Sequence, residues 1–202
     1  MVLAGTQARQ NGLMPTHVAL LRGINLGGRN RVAMADLRAL VGELGHTDVS
    51  TYIQSGNVLF SAPPDTAVAA LAEAMTAAIA ARLGVTAPVV VVPRQELSQI
   101  IGANPFPVEP EPRRVHAVVL SEPPGADLLG RLDGAVAQAS AAGAPDSVQA
   151  AGRTLYVHTP EGYGTSDLAQ AVIKIVNSPK TGVTGTARNW ATMTKLLELC
   201  EG

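Results

Sequence analysis

From Thr16 onward the apolar positions change period again and again, and each change marks an element. HVALLRG, residues 17–23, is a short apolar run closed by glycine, as in a buried strand, while MADLRALVGELG spaces its apolar residues at helical intervals. VSTYIQS and NVLFSA predict strands joined at Gly56. TAVAALAEAMTAAIAARLG predicts a long alanine-rich helix, PVVVV a β-branched strand and RQELSQII a short helix. The order is β-α-β-β-α-β-α.

Residues 103–113 are crowded with prolines, which remove ladder donors and disfavour helix, so the segment predicts an extended linker. The order then restarts. RVHAVVL predicts a strand, DLLGRLDGAVAQASAAG a helix, and DSVQAAG with TLYVHT a strand pair turned at Gly152 and Arg153. SDLAQAVIKIVN predicts a helix, TARNW a short strand and TMTKLLELC a last helix. His17 and His116, Val49 and Val148, and Leu97 and Leu196 each stand 99 positions apart, although few residues are identical between the passes. A β-α-β-β-α-β unit is the split β-α-β arrangement. We therefore expect an α+β protein of two ferredoxin-like lobes related by internal duplication, each followed by a short helix, over residues 16–102 and 114–202. The competing reading is one mixed α+β domain with accidental periodicity. Residues 1–15 are expected to be a mobile leader.

Composition narrows the function classes. A chain of 202 residues, 47% apolar, has enough hydrocarbon for one large or two small cores without staples. A formal charge of −1 with no long block of one sign disfavours diffuse attraction to nucleic acid or anionic membrane, so any anion site must be local. Cys200 is the single cysteine and forms no internal disulfide; with no apolar stretch of membrane-spanning length, the expected location is the cytoplasm.

The topology groups residues that are distant in sequence. In a split β-α-β unit the C-terminal ends of strands one and two meet the N-terminal end of strand three. That edge would hold Arg22, Gly23, Asn25, Gly27, Gly28 and Asn30 together with Gln54, Ser55, Gly56 and Asn57. In the second pass it would hold Ser121, Glu122, Arg153 and the start of the last strand, Thr186 to Asn189. If the two edges face each other, Arg22, Asn25, Gln54, Asn57, Arg188 and Asn189 line one cleft. Glycines allow close approach of a ligand to backbone N–H groups, and arginine offers a planar fork to phosphate or carboxylate. Asn25 and Asn30 also tolerate left-handed backbone, so a tight turn with solvated arginines accounts for the same composition.

Other chemistries fit less well. Gly23 to Gly28 followed by Arg29 and Asn30 has the glycine spacing of a phosphate loop but lacks its lysine and hydroxyl. RNA-recognition domains on this scaffold stack bases on aromatics of the central strands, and HVALLRG has none. The matched His17 and His116 read as structural strand residues, and no spacing suggests zinc. Ser55 lies outside a nucleophile elbow. Ser166 or Asp167 is expected to cap the following helix, and Trp190 to sit in the core or wall a cleft.

LLRGINLGGRNRVAM (20–34), TYIQSGNVLF (51–60) and TARNWATMTKL (186–196) together resemble the bacterial domain of unknown function 1697 family. Thr192 and Lys195 match that family's pattern, and Ala33 stands where it has proline or another small residue. The resemblance implies a cytosolic, duplicated α+β protein and no particular reaction. It also carries Arg22, Gly23, Asn25, Gly27, Gly28, Asn30, Gln54, Ser55, Gly56, Asn57, Arg188, Asn189, Trp190 and Lys195 over as signature positions. The readings that remain are a binder or enzyme for a small phosphate- or carboxylate-bearing ligand, an interaction module whose sheet faces are buried against another lobe or subunit, and nucleic-acid binding. The residues imply no cofactor, metal, catalytic group or oligomeric state.

Overall fold

The computed structural model describes residues 14–28 and 30–202; the expected leader falls almost wholly outside that range. Lobe one runs β1 (His17–Leu21), α1 (Met34–Glu43), β2 (Thr47–Tyr52), β3 (Asn57–Ser61), α2 (Val68–Leu83), β4 (Val89–Pro93) and α3 (Arg94–Gly102). Lobe two repeats the order with β5 (Val115–Leu120), α4 (Ala126–Ala141), β6 (Ser147–Ala151), β7 (Thr154–His158), α5 (Asp167–Val176), β8 (Gly185–Asn189) and α6 (Trp190–Glu201). The sheets are β2-β3-β1-β4 and β6-β7-β5-β8, with every neighbouring pair antiparallel. The fold is α+β, with two similar lobes in the split β-α-β arrangement.

The central strands read as unbroken apolar runs because both of their faces are buried. Ala19 and Leu21 of β1 pack under α1 and α2 with Leu37, Met75 and Ile79. Val18 and Leu20 point the other way, into a core shared with Ala117, Val119 and Tyr156 of lobe two. Val118 and Leu120 of β5 complete the alternation by packing under α4 and α5. The sheets thus lie face to face within one chain. Leu97 and Ile100 of α3 and Met193, Leu196 and Cys200 of α6 fill the same shared core.

The duplication drifts in register. His17 is opposite Pro93, and His116 is opposite Asn189, so the spacing falls from 99 at the first strand to 96 at the last. The strand counterpart of Arg188 is therefore Val92, since Val18 pairs with Val92 as Ala117 pairs with Arg188. An arginine occupies a position that in lobe one belongs to the shared apolar core.

The free edge of β4 is satisfied by side chains, which removes a site for unwanted pairing. The N–H of Val89 donates to Thr76 Oγ1 at 3.2 Å, and the carbonyl of Val91 accepts from Arg153 Nη2 at 2.8 Å. Arg153 also forms a two-pronged ion pair with Glu96, at 2.5 and 2.7 Å, and so ties the β6–β7 turn to α3.

Candidate functional site, an arginine-lined cleft between the lobes

The loop after β1 is held by its own asparagines. Asn25 Nδ2 donates to the carbonyls of Val32 and Gln54, both at 3.0 Å, while its Oδ1 accepts the Val32 N–H at 2.9 Å. Asn30 Nδ2 donates to the Gly23 carbonyl at 3.0 Å. Both asparagines have positive φ, 54° and 49°. Asn25, Asn30 and Gln54 thus build the loop and do not line the cleft, which corrects the expected lining. Gly27 and Gly28 are exposed beyond it.

Arg188 joins this loop to lobe two. Its Nε donates to Asn57 Oδ1 at 2.5 Å; Nη2 donates to the carbonyls of Leu21 at 2.7 Å and of Ser55 and Gly56 at 3.1 Å. Nη1 donates to Thr186 Oγ1 and the Ala187 carbonyl, both at 2.8 Å. Asn57, fully buried, donates in turn to the Tyr52 carbonyl and Ser55 Oγ at 3.0 Å. Every acceptor around the guanidinium is neutral. Burial lowers the pKa of Arg188 to about 10, so the group remains cationic near neutral pH without a carboxylate partner.

Gly56 lets the β2–β3 turn pack closely on the end of β1 and the loop after it. Its φ is +78°, and a Cβ there would stand 2.8 Å from Leu21 Cβ and 3.0 Å from Ile24 Cδ1.

The edge residues of lobe two are distributed differently from the expectation. Because β8 runs antiparallel to β5 from Gly185, which is opposite Leu120, Arg188 and Asn189 arrive at the far end, opposite Ala117 and His116. Asn189 accepts the Thr192 N–H at 2.8 Å and caps α6, so Trp190 begins that helix and its ring tilts against Tyr156 in the shared core. Ser166 caps α5, as the sequence predicts, accepting the Ala169 N–H at 2.9 Å. Lys195 is exposed and pairs with Glu198 at 2.8 Å, away from the cleft lining.

Two concavities distinguish themselves chemically. The larger, about 860 Å³, runs along the alanines of α2 and β4, with Glu73, Glu96 and Glu122 beside the committed Arg153. The smaller, about 470 Å³, lies between the loop of Arg22 and the elements β8 and α5. It includes Arg22, Gly23, Ser55, Arg188 and Asn189 of the expected set, and its lining contains no Asp or Glu. Chemistry favours the smaller cleft as the candidate site, despite its size, because its charge is of one sign.

Arg22 reaches across the cleft mouth. Its Nη1 donates to Asn177 Oδ1, and the Asn177 amide is fixed by donation from Nδ2 to the Ile173 carbonyl at 2.9 Å. Asn177 is the C-cap of α5, where the helix dipole favours a cation. Partial burial lowers the Arg22 pKa. Asn177 is the only hydrogen-bond partner of its side chain among the described residues, so Nε and Nη2 are uncommitted.

Thr186, expected at the edge of lobe two, also lines the cleft, and so do His116, Tyr163, Ile173 and Asn177, which the sequence does not place there. The match of His116 with His17 pointed to a structural role, and Asn177 carries no signal beyond ending a helical pattern. Among the described residues, no group of three or more His, Cys, Asp or Glu side chains is placed to hold a metal ion. No described helix is long and apolar enough to cross a membrane.

The conserved bacterial protein SP0830 from Streptococcus pneumoniae has a similar fold, with a TM-score of 0.65, 22% sequence identity, and coverage of 93% of this chain and 99% of that one. No curated protein matches the sequence. A family model described as a protein of unknown function, DUF1697, matches residues 14–156, which takes in the Arg22 loop and the Gln54–Asn57 turn but stops short of Arg188. With most of its length matched by that model, the chain belongs to the DUF1697 family.

Proposed function

We propose that the cleft between the lobes is a receptor for a small organic anion bearing phosphate or carboxylate. The observation that carries this reading is the pair of arginines in a lining without carboxylates. Arg188, held entirely by neutral acceptors, supplies a fixed positive potential, and Arg22 offers uncommitted donors at the mouth. A preorganised charge of this kind binds an anion with little reorganisation. The sheet faces, which the interaction-module reading buries against another lobe or subunit, cover each other within the chain and so leave no such face for a second subunit.

The test is thermal denaturation against a panel of sugar phosphates, nucleotides and small carboxylates. A ligand present at about a hundred times its Kd should stabilise the protein by about 2.7 kcal/mol. Arg22→Ala should abolish that shift. An unchanged shift in the variant, or no shift with any anion, overturns the reading.

A further inference from the structure

The cleft contains a pair of rings that the arginines and loops do not require. His116 stacks on Tyr163 with ring centroids 3.7 Å apart and planes inclined by 22°. His116 Nδ1 and the Tyr163 hydroxyl are sealed from solvent and have no hydrogen-bond partner. Nε2 of the same imidazole has no hydrogen-bond partner among the described residues either but is not sealed, and the residue lines the cleft.

Burial holds the His116 pKa down to about 4, so the ring is neutral near pH 7 and carries one N–H. A sealed donor without a partner is rarer in proteins than a sealed acceptor without one. The proton is therefore better placed on Nε2, as a neutral donor toward the cleft. The groups around the ring do not oppose this. Tyr163 is neutral, its pKa raised to about 12 by burial; the strand partners are Val157 and Asn189; and Arg22 and Arg188 are the charged residues of the lining.

The rim has a different character. Leu26 is 64% exposed and Ile53 50% exposed, and both border the cleft. Ile53 has a φ of 50°, a strained conformation for a β-branched residue. Two exposed apolar side chains at the mouth of a cationic cleft suit a ligand with hydrocarbon next to its charge.

Resting on the receptor reading above, we propose that His116 is a further ligand-binding residue, donating from Nε2 to the oxyanion that Arg22 holds. The ligand is an organic oxyanion whose short apolar body covers Leu26 and Ile53. Phosphate monoesters and carboxylic acids share this chemistry.

Titration calorimetry with hexyl phosphate, hexanoate and inorganic phosphate tests it. One of the two amphiphilic probes should bind at least about tenfold tighter than inorganic phosphate, and the tighter of them identifies the head group. Leu26→Ser with Ile53→Ser should erase that preference. His116→Phe keeps a stacking ring and should weaken binding about tenfold, while His116→Gln recovers part of the loss. In the free protein, ¹⁵N spectra should show the Nε2–H tautomer. If no probe binds, or Arg22→Ala binds like the parent, the receptor reading falls and this inference with it. If Arg22→Ala loses binding but His116→Phe does not, or the proton is on Nδ1, only the role of His116 is overturned. Equal affinity for inorganic and hexyl phosphate overturns the apolar body. If His116→Phe does not fold, the tautomer measurement on the parent protein decides the role of His116.

Discussion

Arg188 Nε donates to Asn57 Oδ1 at 2.5 Å across 131 positions of sequence, and this bond joins the last strand of lobe two to the first turn of lobe one's β2–β3 pair. The remaining guanidinium donors meet carbonyls of Leu21, Ser55, Gly56 and Ala187 and the hydroxyl of Thr186. Arg188→Ala removes the guanidinium donor from all of these acceptors, though the Gly56 carbonyl keeps the Leu21 N–H, and should cost about 3 kcal/mol or more in urea denaturation. Arg188→Lys should recover little of it, because an ammonium cannot reproduce the planar fork. A loss below about 1 kcal/mol for either variant would show that the bonds are dispensable.

Arg153 and Glu96 should behave unequally. Removing the arginine leaves a half-buried carboxylate and the carbonyls of Val91 and Leu120 without their donor. We expect Arg153→Ala to cost about 2–3 kcal/mol, and Glu96→Gln only about 1 kcal/mol because Arg153 retains both carbonyls. Equal losses in chemical denaturation would contradict this ordering.

Gly56→Ala introduces a Cβ against Leu21 and Ile24 at a φ of +78°, and should cost about 2 kcal/mol or more. Gly27→Ala, at a φ of +54° with open space around it, should cost about 1 kcal/mol. Thermal melts of the two variants distinguish backbone strain alone from strain combined with a clash.

Acid should weaken the fold through its buried histidines. His116 falls from 6.5 to about 4 on folding, and His17 and His46 are also lowered, each chiefly by burial. The unfolded chain therefore binds protons that the folded chain refuses. Stability from this source is fully present above about pH 6.5 and is lost as pH falls toward 4. His116→Phe should flatten the profile of denaturation midpoint between those limits; an unaltered profile would exclude His116 as a contributor.

Cys200 is buried in the shared core, and burial raises its pKa to about 11. It should react with a thiol reagent only when the protein opens, at a rate that rises with urea in step with unfolding. Rapid labelling of the native protein would mean that the core between the lobes opens readily.

Much of the fold was legible because periodicity reports burial. HVALL and VHAVVL read as buried strands since alternate side chains fill different cores, and the matching element order exposed the second lobe. The site was legible only in part. Arg22, Gly23, Ser55, Arg188 and Asn189 reach the cleft, but Asn25 and Asn30 spend their amides inside the loop. TARNW marks Arg188 as a cleft residue, but nothing in it shows that carbonyls from lobe one occupy its donors. Nothing in the sequence places His116 and Asn177 in the cleft, because their partners come from elements distant in the chain.

By itself the sequence determined the elements, their order in two passes and the residues able to turn at positive φ, since these follow from local sterics and the period of burial. The tertiary structure decided how the lobes meet: sheet against sheet, with the register drifted so that Arg188 stands where lobe one has Val92. That choice depends on packing between surfaces far apart in the chain, and it made the arginine a clamp, placed His116 and Tyr163 in the same cleft as Arg22, and left that cleft between the lobes without a carboxylate in its lining.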